Sequence, residues 1–230
     1  MCNPACIRFG QSHIFRDDVA GKKVIEVGAF DHNGSLRSVV QPYGPSSYVG
    51  VDIAPGHGVD EICDITELVA RYGTESFDVV VCTEVIEHVR DWRAAVTNLK
   101  NILRPNGMMI VTTRSKGYPY HGHPHDFWRY EVADMGAIFS DCTIEANEPD
   151  LSMPGVFMKV FKPVSFVEAN LDDYALYSTI KHEHRTSVSD AEVLLFNMKL
   201  GIRQVLRRTL PPFLKKRIKK LLFGKEHIPI

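Results

Sequence analysis

The stretch Lys23-Val24-Ile25-Glu26-Val27-Gly28-Ala29-Phe30, with the loop Asp31-His32-Asn33-Gly34-Ser35 behind it, constrains the fold of this chain more than any other. It reads as a buried strand running into a glycine turn and then a helix start. A second strand, Tyr48-Val49-Gly50-Val51-Asp52, ends in an acid. Doubly wound α/β sheets hold nucleosides with such a pair. The backbone approaches the ligand at the first turn, and the carboxylate takes the ribose hydroxyls.

Apolar runs predict strands at 22–27, 47–53, 59–63, 77–82, 108–113, 142–146 and 155–161. Helices are expected at 36–41, 66–72 and 131–140. Another follows Asp91 as N-cap, with Trp92, Ala95, Val96, Leu99, Ile102 and Leu103 at helical spacing. A short helix precedes the first strand. The last two strands have no helix between them, so the final one should run antiparallel. This alternation predicts an α/β, Rossmann-like, doubly wound fold: a mostly parallel seven-stranded sheet with helices on both faces, plus a helical C-terminal extension. The boundary is expected near Pro163, giving a nucleoside-binding domain at 1–163 and a helical extension at 164–230. Within the extension, 170–180 reads as helical and 191–200 as strongly apolar.

The formal net charge of -1 singles out no partner, but its distribution is uneven. Residues 201–230 carry nine Lys+Arg against one acid, Glu226, so a mildly acidic body bears a basic tail. Its apolar residues, among them Phe213, Leu214, Ile218, Leu221, Leu222 and Phe223, alternate with the cations. Such a segment suits an anionic membrane surface, a packing or dimer contact, or nucleic acid, the last being disfavoured. The five cysteines, Cys2, Cys6, Cys63, Cys82 and Cys142, show no paired spacing and read as reduced thiols. No apolar leader or membrane-length run is visible. The expected location is cytoplasmic, with peripheral attachment at the inner membrane surface as the tail's contribution.

Two cofactor classes suit strand, loop, helix and acid. A dinucleotide needs closely spaced glycines for its pyrophosphate, and here no glycine separates Gly28 from Gly34. S-adenosylmethionine has no pyrophosphate and tolerates the looser pattern. The ordered blocks VIEVGAF, YVGVDI, CDIT, FDVVVCTEVIEHV and LKNILRPNGMMIVTT resemble the class I S-adenosylmethionine-dependent methyltransferases. That resemblance implies S-adenosylmethionine as cofactor and S-adenosylhomocysteine as product. It also implies cofactor contacts from Glu26, Gly28, Asn33, Gly34, Asp52, Ile53, Asp64, Ile65 and Thr83. Asp52 would take the ribose and Asp64 the adenine amine, with Ile53 and Ile65 packing the ring. Thr83 and Glu84 would border the methyl donor. Phe30 stands where the family more often has glycine.

The acceptor side points to Tyr118–Tyr130, rich in histidine and aromatic residues, after the strand at 108–113. No Asn/Asp-Pro-Pro-aromatic block follows the central strand, which disfavours nucleobase nitrogen. The block HGHPHDFWRYE resembles one in methyltransferases encoded among polysaccharide and glycan biosynthesis enzymes, through His121, Asp126, Trp128 and Arg129. The expectation is O-methylation of a sugar, a glycan or a similar small polar acceptor. His121 would be the general base, oriented by Asp126 or Arg129, with Glu84 able to reach the acceptor. Tyr120, His123, His125 and Trp128 would bind substrate. A divalent metal at His121, His123, His125 and Asp126 is the less favoured expectation. Glu87 and His88 read as helix-capping residues. The alternatives are a quinone-type or secondary-metabolic methyltransferase with carbon or nitrogen as acceptor, and a binding module that has lost its cofactor.

Overall fold

Alternation of apolar residues along each strand decides how this chain layers itself. The computed structural model describes residues 3–122 and 124–209. Its strands are β1 (Lys23–Val27), β2 (Ser47–Asp52), β3 (Glu61–Ile62), β4 (Phe77–Thr83), β5 (Leu103–Arg114), β6 (Trp128–Arg129), β7 (Thr143–Pro149), β8 (Gly155–Phe161), β9 (Leu176–Ser178) and β10 (Glu183–Arg185). Seven form one sheet in the order β3-β2-β1-β4-β5-β8-β7. The β1–β5 pairings are parallel, and β8 runs antiparallel to both β5 and β7.

Successive side chains point to opposite faces. Val24, Val79, Val81, Met108 and Ile110 therefore meet α1 (Pro4–His13) and α3 (Arg37–Val40), the short α2 (Arg16–Val19) lying between. Ile25, Val80, Cys82, Met109 and Val111 face the other way, onto α5 (Trp92–Ile102), α4 (Leu68–Tyr72) and α6 (Val132–Ile138). Asn3 caps α1 by accepting from Ala5 and Cys6, and Asp91 caps α5 by accepting from Ala94. Cys6, Cys63, Cys82 and Cys142 are free thiols.

The structure departs from the sequence reading in four places. Pro42 moves the expected 36–41 helix into a 3₁₀ turn, Gln41–Tyr43. The helix expected at 66–72 opens as a 3₁₀ turn, Ile65–Glu67. β3 is only two residues long. Finally, 170–180 is not helical but carries β9, because Arg93 on α5 satisfies its carbonyls. The guanidinium donates to Leu171, Asp172 and Tyr174 at 2.6, 3.0 and 2.5 Å. β9 pairs with β10 and with β6, tying the extension to the histidine and aromatic loop. Leu176, Ile180 and Val188 join the same core as Trp128.

The apolar segment at 191–200 lies in α7 (Asp190–Thr209), which exposes Leu194, Leu195, Met198, Ile202 and Val205. Among the described residues no helix is long and apolar enough to cross a membrane. His123 and the tail from 210 onward lie outside the described residues.

Candidate active site

Parallel strands bring their C-terminal ends to one edge, where open α/β sheets bind ligands. At that edge a cavity of about 490 Å³ is lined by Val27 and Gly28 after β1, Asp52, Ile53 and Ala54 after β2, and Cys63, Asp64 and Ile65 after β3. Glu84, Val85, His88, Val89 and Arg90 follow β4, while Phe30, His32, Gly122 and Pro124 come from flanking loops.

Gly28 has φ +78, and a Cβ there would stand 2.1 Å from Val85 Cγ2. The first turn can press against the β4 loop only because this residue has no side chain. Asp52 accepts from Phe30 N at 3.2 Å and Ala54 N at 3.1 Å, which holds its carboxylate at the end of β2. One Asp64 oxygen accepts from Thr66 N and Oγ1, both at 2.8 Å. Ile53 is 57% exposed and Ile65 is buried. Two carboxylates, a side-chain-free backbone turn and an apolar wall fit the ribose, amine and ring of an adenosine and the arm attached to it.

Four other expected cofactor residues sit differently. Glu26 is buried and accepts from Ser35 Oγ at 2.6 Å and Tyr48 OH at 2.9 Å, supporting the loop from behind. Burial drives its pKa up, only partly offset by those donors. Gly34, at φ +117, packs against Ile7 and donates to Asp31. Asn33 is exposed, Thr83 is buried, and none of the four lines the cavity.

Glu84 does line it. This residue is buried at φ +59, a left-handed conformation unusual outside glycine. Its backbone N–H donates to Thr112 O at 2.9 Å, its Oε1 accepts from Thr112 Oγ1, and Oε2 pairs with Arg114. Burial, then the charge of Glu87 and the Cys6 thiol, raise its pKa against Arg114.

The histidine and aromatic loop is anchored rather than open. Phe127, Trp128 and Tyr130 are buried, contrary to the expectation that Trp128 offers a face to substrate. Trp128 Nε1 donates to Val89 O and Arg90 O, and Tyr130 OH to Ile86 O. Arg129, also buried, donates to Tyr118 O, Pro119 O and both oxygens of Asp126. Asp126 Oδ2 lies 2.9 Å from His121 Nδ1. Asp126, Arg129 and His121 therefore come together as expected, but His121 does not line the cavity. Burial disfavours its charge, yet Asp126 and Glu87 beside it bring its pKa to about 9. At neutral pH it is an imidazolium, ill suited to the base role expected of it. Tyr120 packs on Phe196 of α7, and His125 packs on Phe127.

The residue underrated by the sequence reading is His88. It lines the cavity, and its Nδ1 lies 2.6 Å from the carbonyl of His125. A carbonyl only accepts, so Nδ1 carries the proton and neutral His88 keeps its lone pair on Nε2. Burial lowers its pKa, against Glu87. Glu87, fully buried, accepts from Thr113 Oγ1 at 2.9 Å. Burial opposes its charge, but His121 and His88 hold its pKa at about 2. The order Glu84-x-x-Glu87-His88 directly after the central strand was the available signal.

A family model described as a methyltransferase domain matches residues 8–145, more than half of the chain. The ubiquinone biosynthesis O-methyltransferase of Idiomarina loihiensis is 32% identical over 127 residues, half of each chain. The enzyme of the same name from Neisseria meningitidis serogroup C is 30% identical over 128 residues, 50% of this chain and 52% of its own length. The chain thus spans about half the length of these curated relatives. They do not show the expected kinship with glycan-cluster methyltransferases. Among solved structures, Burkholderia thailandensis 1,6-didemethyltoxoflavin-N1-methyltransferase, bound to S-adenosylhomocysteine, aligns with TM-score 0.56 and 14% identity. The alignment covers 70% of this chain and 79% of that one. N-methyltransferase NodS from Bradyrhizobium japonicum, also with S-adenosylhomocysteine, aligns at TM-score 0.53 and 14% identity, covering 70% and 89%. At these identities the likeness concerns the fold. Fold, cavity and family match agree: the chain belongs to the class I S-adenosylmethionine-dependent methyltransferases.

Proposed function

We propose that this protein methylates a hydroxyl oxygen of a small, largely apolar acceptor of quinone-precursor type. The observation that carries the reading is His88, whose Nδ1–H is fixed by a carbonyl and whose ring lines the cavity beside Gly28 and Glu84. Bound S-adenosylmethionine supplies an electrophilic methyl on a sulfonium. Gly28 and Asp52 hold the nucleoside end, and Asp64, Ile53 and Ile65 surround the adenine. His88 Nε2, backed by Glu87, receives the hydroxyl and its proton. His121, Asp126 and Arg129 are positioning residues, and Glu84 shapes the turn between donor and acceptor.

Oxygen as the accepting atom is supported by the O-methyltransferase names of the curated relatives. The sugar reading loses part of its support, because three of the five loop aromatics that suggested it, Phe127, Trp128 and Tyr130, are buried in the core. The test is formation of S-adenosylhomocysteine from S-adenosylmethionine with phenolic and with sugar acceptors. Turnover confined to sugars would sink the proposal. Binding of S-adenosylhomocysteine is measured first, by calorimetry.

The same reading assigns the exposed apolar stripe of α7 and the cationic sequence after it to an anionic membrane surface, where an apolar acceptor would be met. The protein then works at the cytoplasmic face of the inner membrane.

A further inference from the structure

Glu87, His88 and His121 each turn a ligand atom toward one small volume, all three atoms within 4.8 Å of one another. Glu87 Oε1 is 3.9 Å from His88 Nε2 and 3.8 Å from His121 Nε2. These separations are too long for hydrogen bonds. A point among the three lies roughly 2.5 Å from each, near the ~2.0–2.2 Å of zinc–nitrogen and zinc–oxygen bonds.

Two further observations point to a ligand there. Glu87 is fully buried, and its Oε1 accepts no hydrogen bond among the described residues. That oxygen faces only the two imidazoles, 3.8 and 3.9 Å away, and a cation among the three would balance its charge directly. The atoms facing away from the cluster each meet a polar group. His88 Nδ1 is held by the carbonyl of His125, and His121 Nδ1 lies 2.9 Å from Asp126 Oδ2, itself gripped by Arg129. Glu87 Oε2 accepts from Thr113. Metal-binding histidines are oriented by such carbonyl and carboxylate partners on the second ring nitrogen.

We propose that Glu87, His88 and His121 form a site for a first-row divalent cation at the acceptor end of the cavity. The ion takes the place of the proton on His121 Nε2, and two imidazoles and a carboxylate suit Zn²⁺, Mn²⁺ or Fe²⁺ better than Ca²⁺. Three protein ligands leave positions open for the acceptor oxygen, which a cation would orient and acidify. In that state His88 Nε2 meets the hydroxyl through the ion rather than directly. The site's role, though not its existence, rests on the reading of this end as the acceptor's place. It differs from the grouping of His121, His123, His125 and Asp126 expected from the sequence: Asp126 acts behind a ligand, and His125 contributes its backbone carbonyl to hold one.

The test uses the full chain, stripped with a chelator and titrated with Mn²⁺ by electron paramagnetic resonance and with Zn²⁺ by calorimetry. S-adenosylhomocysteine binding is followed in the same samples. One ion should bind per chain. Glu87→Gln, which preserves shape, and His88→Ala should each weaken binding more than about tenfold, and Asp126→Asn about tenfold. His57→Ala, at an exposed histidine elsewhere, should leave it unchanged. A chain that binds S-adenosylhomocysteine but neither ion overturns the site, as does equal ion affinity in Glu87→Gln, His88→Ala and the parent. Failure to bind S-adenosylhomocysteine would instead overturn the methyltransferase reading, while the ion count still decides this one.

Discussion

At the scale of single residues, Gly28 and Asp52 do different work at the same edge. Gly28→Ala would put a Cβ 2.1 Å from Val85 Cγ2 at a left-handed φ. It should cost about 1–3 kcal/mol in urea unfolding and weaken S-adenosylhomocysteine binding. Asp52→Ala removes the carboxylate proposed for the ribose. We expect at least tenfold weaker binding by calorimetry, about 1.4 kcal/mol, with little change in the sheet. Glu26 supplies a pH test. Burial raises its folded pKa, so its stabilising contribution is fully present below the ordinary carboxylate value and lost as pH rises through the folded one. The stability difference between the parent and Glu26→Gln should therefore fall as pH rises from about 4.5, levelling once the folded carboxyl ionises. A difference that grows with pH would contradict this. Gly28 and Asp52 were legible as cavity-edge positions because a glycine after a strand and an acid at a strand end have few physical alternatives, whereas Glu26, expected at the cofactor, sits behind the loop. Trp128 was not legible. An aromatic side chain looks the same whether it faces a ligand or the core, and here Val89, Arg90 and β9 claim it.

At the scale of elements, β4 could be read directly, since Phe77-Asp78-Val79-Val80-Val81-Cys82 is apolar on both faces and so central. The short strands could not. β6 and β9 have two and three residues, and their pairing depends on Arg93, some 80 positions away in the chain, taking up the carbonyls of Leu171, Asp172 and Tyr174. The Lys100–Asp141 pair on α5 and after α6 was likewise invisible. Lys100 Nζ is buried and donates to Asp141 Oδ2 at 2.6 Å and Ile138 O at 2.7 Å. Asp141→Ala should destabilise by about 3–5 kcal/mol, because it strands a buried ammonium. Lys100→Met, which removes that charge instead, should cost less. Urea unfolding of both variants distinguishes a buried ion pair from a solvated one.

At the scale of the whole molecule, α7 carries a stripe of exposed Leu194, Leu195, Met198, Ile202 and Val205. Full-length protein should sediment with anionic vesicles, less so as salt rises. A chain ending at residue 200 should lose most of that binding yet retain S-adenosylhomocysteine binding; unchanged sedimentation would refute the membrane assignment. The sequence by itself determined the sheet, its parallel core and the cavity edge lined by Gly28, Asp52 and Asp64. Those depend on local periodicity and on residues next to one another in the chain. Only the tertiary structure decided the surroundings of the histidines. It placed His88 rather than His121 on the cavity wall, buried Phe127, Trp128 and Tyr130, and brought His121 to the adjacent pair Glu87 and His88. Whether a polar side chain lines a cavity or supports its wall is set by long-range packing, and residue type carries no record of that.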